Sequence, residues 1–440
     1  MALVDTGSCE CINSQLEIFE TLPTQTSIES NHWQKYYPVC TLDTRGGPIE
    51  FQITPGDHDY MNLSCHYLYT KNRILDESGN KIETDEIVFP INYFHATRFK
   101  NIEILINNKS VTSSDNLYSY RAYLEALLNY DKQATLEQLG LGLYSKDTNN
   151  FDENGAPLAT ENIPDGTNKG AYVRYQRTKK SNVFECIGRL HCEIFNQPKL
   201  ILNDCSFTVR LHLNDQKFYL MSGSDKRYTV VIDSAILFIN HTKVSDSVRE
   251  AHELALMKAN AKYPVRQIQM KYFTRSAGRT DLSEQNLVTG TLPRKLIFGL
   301  VETGAFTGQL SKNPFNFFHF NVEAVVLRVN SQTVPYENFN LDFEKNLFCQ
   351  GYISLLHGTH RLYRDKGMYL TADEYSNGNT LYAFDLTPDQ SNSHFNLIRE
   401  GTISLEIKLK KAHEESITII TYLEFDNVIE ISKDRNVFYE

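Results

Sequence analysis

Apolar and polar residues alternate with a period of two in many short segments of the chain. TVRLHLN, Thr208–Asn214, places three aliphatic side chains on one face and Arg and His on the other, and TISLEIKLK, Thr402–Lys410, repeats this arrangement. Turn-forming residues separate such segments, as in Asp76–Asn80 and Ser376–Asn379. Many short strands divided by turns predict an all-β protein built from sandwiches or barrels.

Helical periodicity is limited to a few short segments. Ser245–Tyr263 has helical spacing of its apolar residues, with Ser245 or Asp246 as the N-cap. Tyr120–Tyr130 is a second candidate, and Ala134–Tyr144 is a short helix that could follow it. The pattern therefore predicts β domains that each carry single short helices.

Part of the first half of the sequence recurs in the second half. When Asn107 is aligned with Asn330, Ile104–Val111 falls on Leu327–Val334, and each segment has the pattern strand, polar turn, Ser or Thr, Val. The two asparagines lie about half of the 440-residue chain apart. This spacing is typical of a duplicated domain.

Two further matches follow in the same order. Arg121–Leu128 resembles Gln350–His357, since both contain a Tyr followed by Leu-Leu. Leu190–Gln197 resembles Tyr382–Asp389, and an alternating segment follows each of them. Three ordered matches predict that the chain is two copies of one β domain.

The length and the repeat together predict the domain boundaries. A chain of 440 residues is too long for one ordinary core. We expect an N-terminal arm without strands at residues 1–34, a first domain at 35–222 and a second at 223–440, joined near the Gly- and Ser-containing Met221–Arg227. Residues 145–181 are rich in Asn, Asp, Gly and Lys and are predicted to be a long exposed loop insertion of the first domain.

Charge and cysteine content narrow the classes of function. The chain has 44 Lys and Arg against 54 Asp and Glu, a net charge of -10, which disfavours direct binding to nucleic acid or anionic membrane. The longest apolar runs, such as Ser234–Ile239, fall far short of the ~20 residues of a membrane span, and the start of the chain has no signal-peptide pattern. Eight scattered cysteines predict free, mostly buried thiols in a reducing compartment.

Known catalytic and metal-binding motifs are not found in the sequence. His191-Cys192-Glu193 has the H-x-E spacing of an iron site, but its alternating pattern predicts a strand. His357–His360 lacks the Glu of H-E-x-x-H, and Asp57–Tyr60 is more simply a polar turn than a cation site. We therefore predict no enzyme activity, with no catalytic residue, no cofactor-binding residue, no metal ligand and no cofactor.

Several dispersed segments resemble one family over nearly the whole chain. They are Met1–Cys11, Pro23–Glu29, Asn116–Tyr130, Ile187–Asp204, Lys312–Asn330, Thr380–Asp389 and Tyr422–Val437. The sequence is similar to the major capsid proteins of Polinton (Maverick) elements and adintoviruses, which are self-synthesising DNA transposons and related viruses integrated in animal genomes. Residues 145–181 depart most from the family.

The resemblance implies a double jelly roll, that is, two eight-stranded antiparallel β-sandwiches side by side with a few short helices. It also implies a structural protein whose pseudo-hexameric homotrimers tile an icosahedral shell around a double-stranded DNA genome. The implied partners are other copies of the chain, a single-jelly-roll penton protein and minor capsid proteins, while a separate basic protein would line the DNA. The implied location is the virion capsid, after synthesis in the host cytoplasm and assembly there or in the nucleus.

Two other classes of function stay open at the level of sequence. One is a soluble β-sandwich binding module without catalysis, either lectin-like or a capsid-derived protein domesticated by its host. The other is a metal-dependent jelly-roll enzyme, which would hold stoichiometric metal. A lectin would expose Tyr and Trp on a concave sheet, and this sequence has a single Trp.

Overall fold

The alternating segments of the first half form ten strands. The structure is a computed structural model, and it describes residues 7–9, 11–42, 47–54, 56, 58–82, 86–334, 339–391 and 394–439. Met1–Thr6 of the predicted arm, Asp57 of the Asp57–Tyr60 motif and Glu440 lie outside the described residues. The strands are β1 (Ile28–Tyr36), β2 (Ile49–Ile53), β3 (Asp59–Asp76), β4 (Val88–Pro90), β5 (Phe99–Ile106), β6 (Lys109–Ser110), β7 (Phe184–Gly188), β8 (Phe207–Leu213), β9 (Leu220–Ser222) and β10 (Tyr228–Val244).

The second half contributes ten more strands to the described part of the chain. They are β11 (Ala261–Arg275), β12 (Glu284–Thr291), β13 (Lys295–Glu302), β14 (Val322–Val329), β15 (Gln332–Thr333), β16 (Phe339–Asn340), β17 (Leu381–Asp385), β18 (Glu400–Leu409), β19 (Ile417–Ile431) and β20 (Val437–Phe438).

Short helices lie in the connections between the strands. The longest are α2 and α7, close to the two helical segments that the sequence predicts, and α3 follows α2 as expected. The helices are α1 (Phe94–Thr97), α2 (Tyr118–Asn129), α3 (Lys132–Glu137), α4 (Lys169–Thr178), α5 (Glu193–Asn196), α6 (Gln216–Tyr219), α7 (Asp246–Leu256), α8 (Thr303–Thr307), α9 (Cys349–Gly358) and α10 (Ala372–Ser376). Single 3₁₀ turns occur at Ser14–Leu16, Leu139–Gly142, Ala156–Ala159, Lys179–Ser181 and Phe343–Lys345.

The first-half strands form two facing antiparallel sheets of four strands. Their orders are β1-β10-β3-β7 and β2-β8-β5-β6, and β4 and β9 form a small extra sheet. In β8 the alternation has the predicted result, because Val209 and Leu211 are buried. Arg210 between them points outward, where its guanidinium forms ion pairs with Glu50 and Glu103 on the two neighbouring strands.

The second half repeats this arrangement strand for strand. Its sheets have the orders β11-β19-β13-β17 and β12-β18-β14-β15, with β20 beside β19 and β16 beside β14. Each position in these orders corresponds to the same position in the first half, and the strand order is that of a jelly roll. The predicted fold class is therefore confirmed, and the second sandwich adds two short strands to the expected eight.

The proposed repeat is confirmed at two of its three matches. Asn107 lies in the hairpin between β5 and β6, and Asn330 lies in the hairpin between the equivalent β14 and β15. Tyr123 lies on α2 and Tyr352 on α9, the first helix after the hairpin in each half. The third alignment is wrong, because residues 190–197 follow β7 and form a turn and α5, whereas β7 itself is the equivalent of β17. A short apolar run cannot distinguish a strand from a buried turn and helix.

The predicted boundary at 222/223 is wrong. β10, which follows it, pairs with both β1 and β3, so the first sandwich extends to Val244. In a jelly roll the last strand returns between the first and third strands, so the Gly- and Ser-containing Met221–Arg227 belongs to a connection inside the domain. The link between the sandwiches is the segment that contains α7.

The predicted arm also ends earlier than expected. Strand β1 begins at Ile28 and continues to Tyr36, so residues 28–34 belong to the first sandwich. All of its residues except Tyr36 are exposed, and a strand without a buried face shows no alternation in the sequence. The eight cysteines are free as expected, but only Cys186, Cys192 and Cys205 are buried, so the prediction of mostly buried thiols is wrong.

Candidate functional site

The two sandwiches share one buried core. The Tyr123 ring stacks on the Phe315 ring with centroids 4.2 Å apart and planes 5° apart, and Tyr120 meets Phe315 edge-on at 5.5 Å. Such aromatic pairs contribute about 0.5–1.5 kcal/mol each beyond their buried area. These aromatic contacts form a seam that joins the two halves into one tile. The seam consists of the rings of Tyr120, Tyr123, Phe218, Phe306, Phe315 and Phe317.

Residues 145–181 brace this seam, which contradicts the prediction of an exposed loop. The two carboxylate oxygens of Asp152 accept hydrogen bonds from the Asn313 backbone N–H at 2.6 Å and from the Asn316 amide at 3.2 Å. Lys146 forms an ion pair with Glu374 at 2.6 Å. These contacts tie the insertion of the first half to loops of the second half.

The insertion is folded because it has a polar core of its own. Arg174 on α4 is fully buried and donates hydrogen bonds to the Asp147 carboxylate at 2.7 Å, the Ser145 carbonyl at 2.9 Å and the Pro90 carbonyl at 3.0 Å. The low apolar content predicts an exposed loop, but a buried, multiply bonded Arg-Asp pair orders the segment instead.

The H-x-E motif lies in a buried ionic cluster beside the seam. Glu193 accepts a hydrogen bond from Arg121 at 2.6 Å, and Arg121 also pairs with Glu125 at 2.9 Å. His191 donates from Nδ1 to Glu125 at 2.8 Å and accepts at Nε2 from the Tyr93 hydroxyl at 3.0 Å.

The electrostatics of this cluster follow from burial and pairing. Burial alone would raise the pKa of Glu125, but Arg121 and the hydrogen bond from His191 outweigh it and lower the pKa to about 2. Burial raises the pKa of the Cys192 thiol. Glu193 also accepts the Ile268 backbone N–H at 3.2 Å, so the cluster connects the first half to β11. His191 and Glu193 thus have hydrogen-bond partners within the protein, and Cys192 is buried.

The other two candidate motifs occupy different places. His360 lies beyond the end of α9, with Nε2 3.2 Å from an Asp385 carboxylate oxygen, and partial burial lowers its pKa. His58 accepts a hydrogen bond at Nδ1 from Arg249 of α7 at 2.7 Å. Across the described ranges no group of three or more His, Cys, Asp or Glu residues is placed to hold a metal ion. No helix within those ranges has the length and apolar character of a membrane span.

An outward-facing aromatic stripe crosses the first sheet of the first sandwich. The Trp33 ring lies 4.9 Å from the Tyr67 ring, and Tyr67 stacks on Phe238 at 4.7 Å. Lys35 lies over the Phe238 ring at 5.7 Å. The stripe starts on β1, an edge strand, and Trp33 is 48% exposed. Exposed aromatics beside a sheet edge are typical of protein–protein contact surfaces.

The described part of the arm exposes large apolar side chains. Phe19 is 95% exposed and Leu22 is 91% exposed, and neither belongs to a helix or a strand. Such side chains stabilise a protein only when something covers them. The exposed large apolar residues of the arm before β1 are Ile12, Leu16, Ile18, Phe19 and Leu22.

Comparison with solved structures identifies the architecture. A chain of the Sputnik virophage, solved by cryo-EM, superposes with a TM-score of 0.65 at 8% identity, covering 100% of this chain and 94% of that one. The mavirus major capsid protein matches with a TM-score of 0.56 at 12% identity over 100% of this chain and 97% of that one. The Faustovirus major capsid protein matches with a TM-score of 0.58 at 9% identity over 97% of this chain and 93% of that one.

The fold is a double jelly roll. No family model matches the chain. A Caenorhabditis elegans protein, uncharacterized protein F54H12.2, is 27% identical over 432 residues, which are 94% of this chain and 98% of that protein. The structural matches cover both sandwiches, and the sequence match to F54H12.2 covers almost the full length of each of the two chains.

Proposed function

We propose that the chain is a structural major capsid protein whose homotrimers tile a closed icosahedral shell. The observation that carries the proposal is the pair of equivalent jelly rolls joined by the aromatic seam and braced by the insertion. A trimer of such tiles presents six sandwiches and has a near-hexagonal outline. The similarity in fold to the mavirus and Faustovirus major capsid proteins supports this role.

The aromatic stripe is the surface that we assign to contacts between subunits. A threefold assembly needs a heterologous contact, in which one patch meets a different patch on the next subunit. Trp33, Tyr67 and Phe238 supply an apolar patch on one flank of the tile. Tyr272 on β11 of the other sandwich is 54% exposed beside Phe306 of the seam and is a candidate for the opposing patch.

The finer assignment is a capsid protein of the Polinton or adintovirus kind, around a double-stranded DNA genome in the virion capsid. The net charge of -10 makes this chain a poor ligand for DNA, so a separate basic protein would line the genome. A single-jelly-roll penton protein would close the vertices, with minor capsid proteins on the inner face. The chain would be synthesised in the host cytoplasm and assembled there or in the nucleus.

One observation favours a second function, that of a host-domesticated protein without a shell. The relative F54H12.2 is from an animal, Caenorhabditis elegans, and matches almost the whole chain. A gene resident in an animal genome could retain the two-sandwich fold while its product no longer assembles into trimers. The two functions differ in oligomeric state, because only the capsid function needs trimers.

Sedimentation of the purified full chain tests the proposal. The capsid function predicts a species of three chains, each of 50.6 kDa, across a concentration series. A protein that stays a single chain at the highest concentration would favour the domesticated, non-assembling function. A glycan-binding screen on the same sample examines the lectin-like alternative.

A further inference from the structure

A groove lies between α7 and the first sandwich. It has a volume of about 590 Å³ and is lined mostly by apolar side chains. This volume is within the range of protein cavities that hold a ligand or a few side chains. The walls include Ile28, Leu200, Val244, Val248, Leu256 and Tyr263.

Helix α7 covers this groove only in part. Leu256 is its one buried residue, whereas Leu254 on the helix and Met257 just after it are each 62% exposed but do not line the groove. Ala255 and Ala259 line the groove and are exposed as well. A helix with so much uncovered apolar surface is suited to a further apolar partner.

The N-terminal arm has the complementary chemistry. Its apolar side chains are exposed, and two of them, Ile18 and Phe19, lie between Glu17 and Glu20. Residues 1–34 contain no Lys or Arg. The groove, in contrast, is flanked by the lysines at 199 and 262. The arm is therefore apolar and acidic where the groove is apolar and basic.

The root of the arm is fixed at the wall of the groove. The Gln25 side-chain amide accepts the Ile28 backbone N–H at 2.7 Å and donates to the Ile28 backbone carbonyl at 3.1 Å. The Ser27 carbonyl accepts the Ser245 backbone N–H at 2.9 Å. Leu22 and Phe19 precede this fixed point by only a few residues, and both are exposed in the isolated chain rather than folded back into the groove.

We propose that the groove under α7 binds the arm of a second copy of the chain, with Phe19 and Leu22 in the groove. This inference rests on the proposed capsid function, because it requires neighbouring copies. Phe19 lies nine residues before Ile28, the start of β1, so it reaches up to about 30 Å from the groove wall when the arm is extended, enough to cross to an adjoining copy. Each copy would both give and receive an arm, and arm exchange would lock neighbouring tiles together.

Photo-cross-linking in mixed-isotope assemblies tests this directly. Full-length chains with benzoylphenylalanine in place of Phe19 are made with ¹⁴N and with ¹⁵N, mixed, assembled and irradiated, and the cross-linked peptides are identified by mass spectrometry. We expect cross-links from position 19 to residues 199–202 or 244–263 in pairs of mixed isotope. Cross-links in same-isotope pairs only, cross-links to other surfaces, or no cross-links would overturn the proposal.

Groove variants provide the matched controls. Ala255→Glu puts a charge in the groove at an exposed position of α7 and should lower the cross-link yield at least tenfold, whereas Glu250→Ala on the outer face of α7 should not. The double variant K199E/K262E should also lower the cross-link yield. Adding E17K/E20K to the same chain should restore that yield. An unchanged yield in Ala255→Glu contradicts the proposal.

Sedimentation of the same samples separates the two claims. Trimers without arm-to-groove cross-links would overturn this inference and leave the capsid function standing. Chains that stay single would contradict the capsid function, and arm exchange with it.

Discussion

Asn107 and Asn330 hold the same position in the two sandwiches. Each starts a two-residue hairpin in the left-handed region, with φ of 46° and 50°. The backbone N–H of Asn107 donates to the Ser206 carbonyl at 2.9 Å, and that of Asn330 donates to the Thr402 carbonyl at 3.0 Å. Each side-chain oxygen accepts the backbone N–H of that same partner, at 2.8 and 2.9 Å. The duplication is thus preserved down to individual hydrogen bonds.

This relationship predicts a graded loss of stability. Asn330→Ala should lower the free energy of unfolding by about 2 kcal/mol, because Ala is strained at positive φ and the bond to Thr402 is lost. Asn107→Ala should cost more, since the Asn107 amide also donates to the Arg435 carbonyl at 2.8 Å. Asn330→Gly keeps the backbone conformation and should cost only about 1 kcal/mol. Urea unfolding measures these values, and equal losses for Ala and Gly would contradict the account.

The insertion should be resistant to protease until its buried pair is broken. Arg174→Met leaves the Asp147 carboxylate buried without its partner, which costs about 3–5 kcal/mol locally. Limited proteolysis should then cut within residues 145–181, whereas the parent protein should not be cut there. Arg177→Met, at an exposed position on the same helix, is the control and should behave like the parent. Early cleavage of the parent protein in this segment would show that the brace does not form.

Acid should destabilise the first sandwich through buried histidines. Burial lowers the pKa of His66 and of His95 to about 3, whereas both have pKa values near 6.5 when unfolded. Below pH 6.5 the unfolded chain therefore binds more protons, and stability falls as the pH drops towards 3. Between pH 6.5 and 5 each histidine should cost about 2 kcal/mol.

The hydrogen bonds of the buried His66 ring show which tautomer it holds. Its Nε2 accepts the Leu190 backbone N–H at 2.9 Å, so Nδ1 carries the proton and donates to the Leu63 carbonyl at 2.6 Å. A second proton would break the bond to Leu190. In His66→Gln, the slope of unfolding free energy against pH between 6.5 and 4 should decrease by one proton. An identical slope in the parent and the variant would exclude His66 as a source of acid sensitivity.

The aromatic stripe should matter for assembly and little for folding. Trp33→Ser removes a half-exposed ring, so the free energy of unfolding should change by less than about 1 kcal/mol. The dissociation constant of the trimer should rise at least tenfold, because exposed aromatics at contact surfaces carry much of the binding energy. Lys71→Ser, at an exposed position of the same sheet, is the control. Sedimentation equilibrium measures both variants, and equal effects would remove the stripe from the interface.

The sequence predicts those strands that have one buried face. β8 and β18 are examples, because residues such as Val209 and Leu405 alternate with polar ones over a core. β1 is missed because nearly all of its residues are exposed, and β10 is assigned to the wrong half because its partners β1 and β3 precede it by many residues.

The candidate surfaces are harder to predict than the strands. Residue type does not tell an outward Trp33 from a buried one, since aromatic residues occupy both places. The order of residues 145–181 is missed because it depends on a polar contact, Arg174 with Asp147, rather than on apolar residues. The two residues lie on different elements of the insertion, so only the folded chain brings them together.

Electron microscopy of the purified full chain at high concentration tests the central claim most directly. The account predicts trimers with a near-hexagonal outline in which six sandwiches can be counted, and their packing into sheets or closed shells. A uniform population of single two-lobed chains, even after a single-jelly-roll penton protein is added, would contradict it.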